Sequence, residues 1–315
     1  MKRFLTRRVP HVLAVLVIVT FATSALIDLL PGSAASAVLG ENATAAQIAE
    51  FNARFGLDAP LIPRYLAWIG HALQGDLGLS IRLGTPVSGL VAERIPVTGE
   101  IALLAILVTV IVAVPLAARA ADRESGIVDR IANGLSSALV AVPAFVMAVL
   151  LVYVLSLELG LLPVAGWSPL DAGLGENLRF LIMPVLTLAL VEIPVMYRVL
   201  RADLLTNLRE DFVLAARARG MSRSYVMLRH VLRPSSFSLI TMIGLTVGRL
   251  LGGTVIVEQI YGLPGLGSLV ISSISSKDIT VVQGVVVVVA VIYVFLNLVV
   301  DLCYTLLDPR VKVAR

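Results

Sequence analysis

Six stretches of this chain are apolar for long enough to cross a lipid bilayer as helices, and this restricts its fold more than any motif does. They run from 10 to 30, 97 to 119, 131 to 156, 179 to 198, 235 to 258 and 280 to 304. A spanning helix needs about 20 mainly apolar residues, and each stretch supplies them. The expectation is an all-α polytopic membrane protein with six transmembrane helices. Composition agrees: 58% of the 315 residues are hydrophobic and 15% charged, with a mean hydropathy of +0.95, far from the balance of a soluble domain.

The net charge of +4 and a pI near 9.5 do not point to nucleic acid, because the cations cluster at alternate ends of the apolar stretches. Lys2, Arg3, Arg7 and Arg8 precede the first; Arg119, Arg123 and Arg130 separate the second from the third. Arg201, Arg209, Arg217, Arg219, Arg223, Arg229 and Arg233 follow the fourth, and Arg310, Lys312 and Arg315 end the chain. The intervening segments carry fewer cations, among them Arg54, Arg64, Arg82, Arg94, Arg179 and Lys277, accompanied by acids such as Glu41, Glu50, Asp58, Asp76, Glu93, Asp171 and Asp278. Six spans with both termini in the cytoplasm satisfy this pattern. Glu192 interrupts the fourth stretch, yet removing that span would put the most arginine-rich loop outside, so it is kept.

The first stretch has a second reading as a signal peptide, with Lys2 to Arg8 as the charged region and Ser33-Ala-Ala-Ser-Ala37 as a cleavage site. Its apolar core from Val12 to Ile27 exceeds the roughly 7 to 15 residues of such a leader, which favours a retained helix. The single Cys303 allows no intrachain disulfide. Residues 31 to 96 form the only sizeable non-spanning region and predict an ordered outer cap. There Ile48, Phe51 and Phe55 share a helical face and Gly56 ends the helix, while Tyr65, Trp68 and Ile69 extend the apolar surface.

Between the fourth and fifth stretches, residues 211 to 234 predict two short helices hinged at Gly220. Glu210 and Asp211 suit the first helix's N-terminus, Arg217 and Arg219 its last turn, and Gly220 the left-handed residue after it. Ser222 then caps a second helix, on which Tyr225, Leu228 and Leu232 recur at helical spacing and which Pro234 closes. The small Ala215, Ala216 and Ala218 let the first helix fit closely into a partner's groove; the plainer alternative is a basic loop drawn to anionic lipid.

Charges within the spans seek protein or water, since each costs roughly 2.5 to 3.5 kcal/mol at the membrane centre on insertion scales. Glu192 and Arg249 line or gate a solvated route, or they clamp two helices together; both readings stand. Glu258, near the outer end of the fifth span, is a further gate candidate. Gly262-Leu-Pro-Gly-Leu-Gly267 lacks the lysine and strand-to-helix setting of a phosphate-binding loop. His11, His71 and His230 are too scattered for a metal site, and Ser272, Ser273, Ser275 and Ser276 have no recognisable base beside them. Catalysis by this chain is not expected.

Short motifs lie along nearly the whole chain: Leu29-Leu-Pro-Gly32, Phe55-Gly-Leu-Asp-Ala-Pro-Leu61, Gln74-Gly-Asp-Leu-Gly78, Pro96 and Asp211-Phe-Val-Leu-Ala-Ala-Arg-Ala-Arg-Gly220. They continue through Arg229-His230, Leu251-Gly-Gly253, Val257-Glu258, Pro264-Gly-Leu-Gly267 and Asp308-Pro-Arg310. On these residues the chain resembles the membrane-spanning permease of a bacterial ABC importer, specifically the first permease of the dipeptide/oligopeptide family. Order and spacing together, rather than any one motif, make the resemblance specific. It implies a type I importer permease fold, and that the loop after the fourth span holds the family's EAA motif, whose helix inserts into the ATPase subunit. Ala215, Ala216 and Gly220 match the two alanines and the glycine, whereas Leu214 stands where the general motif has glutamate and Pro234 lies one place beyond the general spacing. Asp211, Arg219, Tyr225, Arg229 and His230 complete the expected ATPase-coupling interface.

The resemblance further implies a second homologous permease, two ATP-binding subunits or domains, an extracytoplasmic substrate-binding protein, and residence in the bacterial cytoplasmic membrane. This chain would bind no cofactor, leaving ATP and Mg to its partners, and no nucleic acid. The expected organisation is an N-terminus and first span at 1–30, the outer cap at 31–96, a five-helix core at 97–304 containing the coupling segment 205–234, and a tail at 305–315. Di- or oligopeptides are the implied cargo, although related permeases carry nickel complexes, glutathione and other solutes. A self-sufficient secondary transporter or channel accounts equally for six spans and intramembrane charges but gives residues 211 to 234 no task. A membrane enzyme lacks a nucleophile, metal cluster or acid/base pair.

Overall fold

The computed structural model describes the backbone of residues 2–28, 34–40 and 42–307. Leu29-Leu-Pro-Gly32, Ser33, Glu41, Asp308-Pro-Arg310, Lys312 and Arg315 lie outside the described residues, as do the side chains of Lys2, Arg3, Arg7, Arg8, His11 and Cys303. The described residues are helices joined by turns, with one isolated bridge between Leu79 and Pro86 and no strand.

In chain order the helices are α1 (Lys2–Asp28), α2 (Ala34–Leu39), α3 (Ala45–Phe55), α4 (Leu61–Ala72), α5 (Val87–Asp122), α6 (Ile127–Val140) and α7 (Ala144–Leu151). They continue with α8 (Leu174–Leu208), α9 (Asp211–Ala218), α10 (Arg223–Tyr225), α11 (Leu232–Tyr261), α12 (Leu266–Ser275) and α13 (Ile279–Leu307). Among the described residues four helices are long and apolar enough to cross a membrane, and a fifth crossing results if α6 and α7 count as one span. Helix α1 has the length, at 27 residues, and its described apolar run is Leu13–Ala25.

Two expectations need correction. The stretch 131 to 156 is not one straight helix: α6 and α7 meet at 104°. Pro143 is the N-cap of α7 with ψ 150°; it donates no backbone N–H and holds the preceding residue away from helical angles, so an otherwise apolar run folds back on itself. The seven residues after α7, Val152–Glu158, form a π-helical turn. Conversely, Pro234 does not end a helix. The chain stays helical from Arg223 to Tyr261, passing through a π turn at Val226–Val231 just before the proline. A widened turn relaxes the ladder where a proline ring would otherwise meet the preceding carbonyls. There Ser235 Oγ donates to the Val231 carbonyl at 3.1 Å and accepts from Asn207 Nδ2 at 2.8 Å.

The chain divides into two compact units. One contains Met1–Thr98 and Pro264–Phe295. Here α3 forms as its sequence predicts: Ile48, Phe51 and Phe55 are its half-buried face, the rings of Phe51 and Phe55 stand 4.9 Å apart, and Gly56 at φ 65° ends it. Thr44 and Gln47 close a reciprocal capping box at its start. Tyr65 of α4 is buried, with its hydroxyl 2.8 Å from Thr20 Oγ1 of α1. Val87, Val91, Leu266, Leu269, Val281 and Val285 form the core beside α13. Gly284 permits their close approach, since a Cβ there would lie 2.5 Å from Val87 Cγ1. Asp278, 3% exposed, accepts from Ser80 Oγ at 2.5 Å and from the backbone N–H groups of Ile81 and Arg82 at 3.1 and 3.3 Å, pinning the turn before α5.

The other unit contains Gly99–Leu263 and Leu296–Arg315. Its core is built on small residues of α5, Ala113, Ala117, Ala120 and Ala121, against Met196, Tyr197, Leu200 and Leu204 of α8. Val213, Ala216, Val226, Met227 and Val231 join the same cluster, so the segment after α8 is anchored in the packing of the long helices. Tyr261 is 2% exposed; its hydroxyl stands 2.9 Å from Thr187 Oγ1 and donates to the Ala148 carbonyl at 3.3 Å, tying α11 to α8 and α7.

Candidate functional site

Local chemistry fixes the shape of residues 210 to 231. Glu210 is the extended N-cap residue of α9, Asp211 lies in its first turn and Arg217 in its last, each charge suiting its end of the helix dipole. Gly220 adopts φ 77°, and a Cβ added to it would meet no atom within 4 Å, so its backbone conformation alone selects glycine. Its N–H donates to the Arg217 carbonyl at 2.9 Å and that of Met221 to Ala216 at 3.3 Å, closing the turn. Ser222 then accepts from the Tyr225 N–H at 3.4 Å as the cap of α10.

The result is a two-faced knuckle. Val213 and Ala216 of α9, with Val226 and Met227 of the following turn, are buried in the core. On the outer side Phe212, Leu214, Tyr225 and Leu228 are 41%, 59%, 51% and 65% exposed. Asp211, Ala215, Arg219, Gly220 and Arg229 are exposed too, so the two adjacent alanines divide their roles: Ala216 packs inward and Ala215 faces out. His230 is half-buried; its ring meets Tyr225 edge-on at 5.7 Å, and its Nε2 has no partner among the described residues. Four large apolar side chains on this short polar segment are thus left exposed by the folded chain.

The charges within the spans are brought together. Arg249 of α11 holds Glu192 of α8 through two bonds, Nε to Oε1 at 3.0 Å and a terminal nitrogen to Oε2 at 2.6 Å. Thr246 Oγ1 donates to Glu192 at 3.1 Å and accepts from Arg249 at 2.9 Å. The Glu192 side chain is 6% exposed and that of Arg249 43%, so the carboxylate is enclosed while its arginine partner stays partly open. Pro194, two residues on, lies inside α8 and removes one ladder hydrogen bond beside the pair. Glu258 is fully buried, nine residues beyond Arg249 and hence about 13 Å along α11; the structure does not bring it to the pair.

One ionic centre escaped the sequence reading. Asp129 in the first turn of α6 accepts from Arg201 of α8, Nε to Oδ1 at 2.5 Å and a terminal nitrogen to Oδ2 at 2.7 Å. The Ser125 N–H, Asn133 Nδ2 and Tyr197 hydroxyl also donate to it, at 2.9, 2.8 and 3.4 Å. A buried carboxylate satisfied by this many donors is a structural bolt. The signal in the sequence was an acid at the start of an apolar stretch with an arginine at the end of another, a pattern too common to single out. Among the described residues no group of three or more His, Cys, Asp or Glu is placed to hold a metal ion.

Comparison with known proteins follows the same outline. The family described as the binding-protein-dependent transport system inner membrane component matches residues 113–313, and the N-terminal region of such membrane components matches residues 1–102. A putative peptide transport system permease protein of Brucella abortus (strain 2308) is 36% identical over 313 residues, covering 99% of each chain. The oligopeptide transport system permease protein AppB of Bacillus subtilis (strain 168) is 31% identical over 315 residues, 99% of this chain and 100% of its own. Among solved structures, the inward-facing MetNI methionine ABC transporter contains a chain similar in fold, with TM-score 0.56 at 15% identity, covering 70% of this chain and 96% of that one.

Proposed function

We propose that this chain, which belongs to the binding-protein-dependent transport system inner membrane component family and is a permease subunit of an ABC importer, carries peptides inward. The peptide assignment draws support from the full-length relatives, whose names specify peptide and oligopeptide transport. The chain is an inner-membrane component with several spanning helices, and in this reading both termini and the knuckle lie in the cytoplasm, as the arginine distribution favours. It forms half of the pathway, a second homologous permease forms the other half, and a binding protein delivers cargo to the outer cap. Two ATPase subunits bind ATP and Mg; this chain has no ATPase site and binds no cofactor.

The observation that carries the coupling role is the knuckle's two faces, an exposed apolar side backed by residues embedded among α5 and α8. Docking of an ATPase on Phe212, Leu214, Tyr225 and Leu228 would transmit its movement directly into the spans. ATP then biases the pathway between its states to the extent that the ATPases bind those states with different free energies. Glu192 and Arg249 serve as a releasable brace beside the pathway, with the partly open Arg249 toward it, and Glu258 belongs to the outer gate; intramembrane charges of this kind mark routes for polar solutes.

The test is reconstitution of the permease pair, ATPases and binding protein in proteoliposomes, with ATP-dependent uptake of labelled di- and oligopeptides and mass spectrometry of the ligand retained on purification. Uptake that requires ATP and the ATPases supports the proposal. Uptake that persists without them assigns a self-sufficient transporter, and retention of a non-peptide solute corrects the cargo.

A further inference from the structure

A cavity of about 370 Å³ lies where the ends of α5 and α8 meet the knuckle. Arg123 and Glu124 reach it from the turn after α5, Arg209 from the turn after α8, Arg217 from α9 and Arg223 from α10, with Asp122 beside them. Arg209 is occupied by Glu124 at 3.3 Å. Arg123, Arg217 and Arg223 make no ion pair among the described residues. Three such cations and Asp122 leave a net charge of +2 in the cavity. The C-terminal ends of α5 and α8 offset about half an elementary charge each, leaving a surplus of about one positive charge.

We infer that this cavity binds a phosphate-bearing anion, presented by the headgroup of an anionic phospholipid. Guanidinium groups match phosphate oxygens through paired N–H donors, and a phosphodiester brings the one negative charge that the surplus balances. A lipid source is favoured because the cavity lies between the ends of two helices long and apolar enough to cross a membrane, and basic pockets between such helices capture anionic lipid. Leu205 and Leu208 supply an apolar wall for the glycerol and the start of the acyl chains. The outward apolar residues of the knuckle are absent from its lining. Because Arg217 and Arg223 belong to the knuckle, a bound headgroup would brace it against α5 and α8 and make coupling depend on the composition of the inner leaflet.

This inference rests on the proposed cytoplasmic placement of the knuckle, but its test reads binding rather than transport, so the two can fail separately. The intact complex is purified in detergent, stripped of lipid, and titrated with phosphatidylglycerol, phosphatidylcholine or inorganic phosphate, with occupancy followed by native mass spectrometry and by the shift in melting temperature. The expected result is saturable phosphatidylglycerol binding that weakens about thirtyfold in the double variant R123Q/R223Q, with phosphatidylcholine equally weak on both proteins. Inorganic phosphate that displaces phosphatidylglycerol at millimolar concentration confirms the phosphate chemistry and names a free anion as a competing source. Equal phosphatidylglycerol affinity in wild type and variant overturns the inference. So does loss of the ATPase subunits from the variant with lipid affinity unchanged, which would assign the arginines to an acidic protein surface. If the double variant does not assemble, Arg123→Gln alone carries the same comparison.

Discussion

Arg201 grips Asp129 with two parallel bonds of 2.5 and 2.7 Å across 72 residues of sequence, joining α8 to the first turn of α6. The Asp129 side chain is 4% exposed and that of Arg201 20%. Removing one partner strands a buried charge, so Asp129→Ala should cost about 3 kcal/mol of stability. The double variant D129A/R201A should cost less than the sum of the single changes, because the second substitution removes the stranded charge. Thermal inactivation of the detergent-solubilised complex, analysed as a double-mutant cycle, measures this coupling.

At Gly220 the demand is purely conformational: φ is 77° and open space surrounds the position of an added Cβ. Gly220→Val should leave membrane insertion and assembly intact while lowering peptide-stimulated ATP hydrolysis, because strain of about 1 to 2 kcal/mol pushes the turn toward another geometry. Gly220→Asn, which tolerates the left-handed region better, should fall between the two. Normal stimulated hydrolysis in the valine variant would remove the turn from the coupling route.

The Glu192–Arg249 brace has a stability role and a transport role that can be separated. Arg249→Gln leaves a carboxylate that is 6% exposed without its cation and should destabilise by roughly 3 kcal/mol. E192Q/R249Q should recover most of that stability, since neutral amides of similar size can bond to each other and to Thr246. Uptake by the double variant should remain depressed if the charges act on the solute or on gating; full recovery of uptake would reduce the pair to a clamp.

Within α13, Gly284 is required by space rather than by backbone angle, for a Cβ there would stand 2.5 Å from Val87 Cγ1. Gly284→Ala should destabilise by about 1 to 3 kcal/mol through overpacking. Val87→Ala introduced with it should restore part of the loss by removing the methyl in the way. Melting temperatures of the four proteins in the cycle test this pairing.

What the sequence disclosed and what it hid follow from the range of the forces involved. The turns at Gly56 and Gly220 were legible because a left-handed residue after an amphipathic run is a local requirement, satisfied within five or six residues. The 104° bend at Pro143 was hidden because Val140, Ala141 and Val142 continue the apolar run without interruption, and hydropathy is blind to direction. Pro234 misled for the opposite reason: a proline signals a missing donor, but the preceding π turn absorbs it. Glu192 and Arg249 were recognisable singly by the cost of charge in a membrane, whereas their pairing across 57 residues depends on how α8 packs on α11. Asp129 and Arg201 fell outside the apolar stretches, where charges are ordinary, and nothing short of the packing identifies their bond.

The helical continuity of Arg223–Tyr261 through the π turn means that the exposed Tyr225 and Leu228 and a segment apolar enough to span a membrane are one beam of 39 residues. At about 1.5 Å per residue that beam is about 58 Å long, so tilting it by only about 5° sweeps one end through about 5 Å relative to the other. With no loop between them to take up slack, a push on Tyr225 and Leu228 in the proposed coupling would become a stroke of molecular size at the far end of the helix.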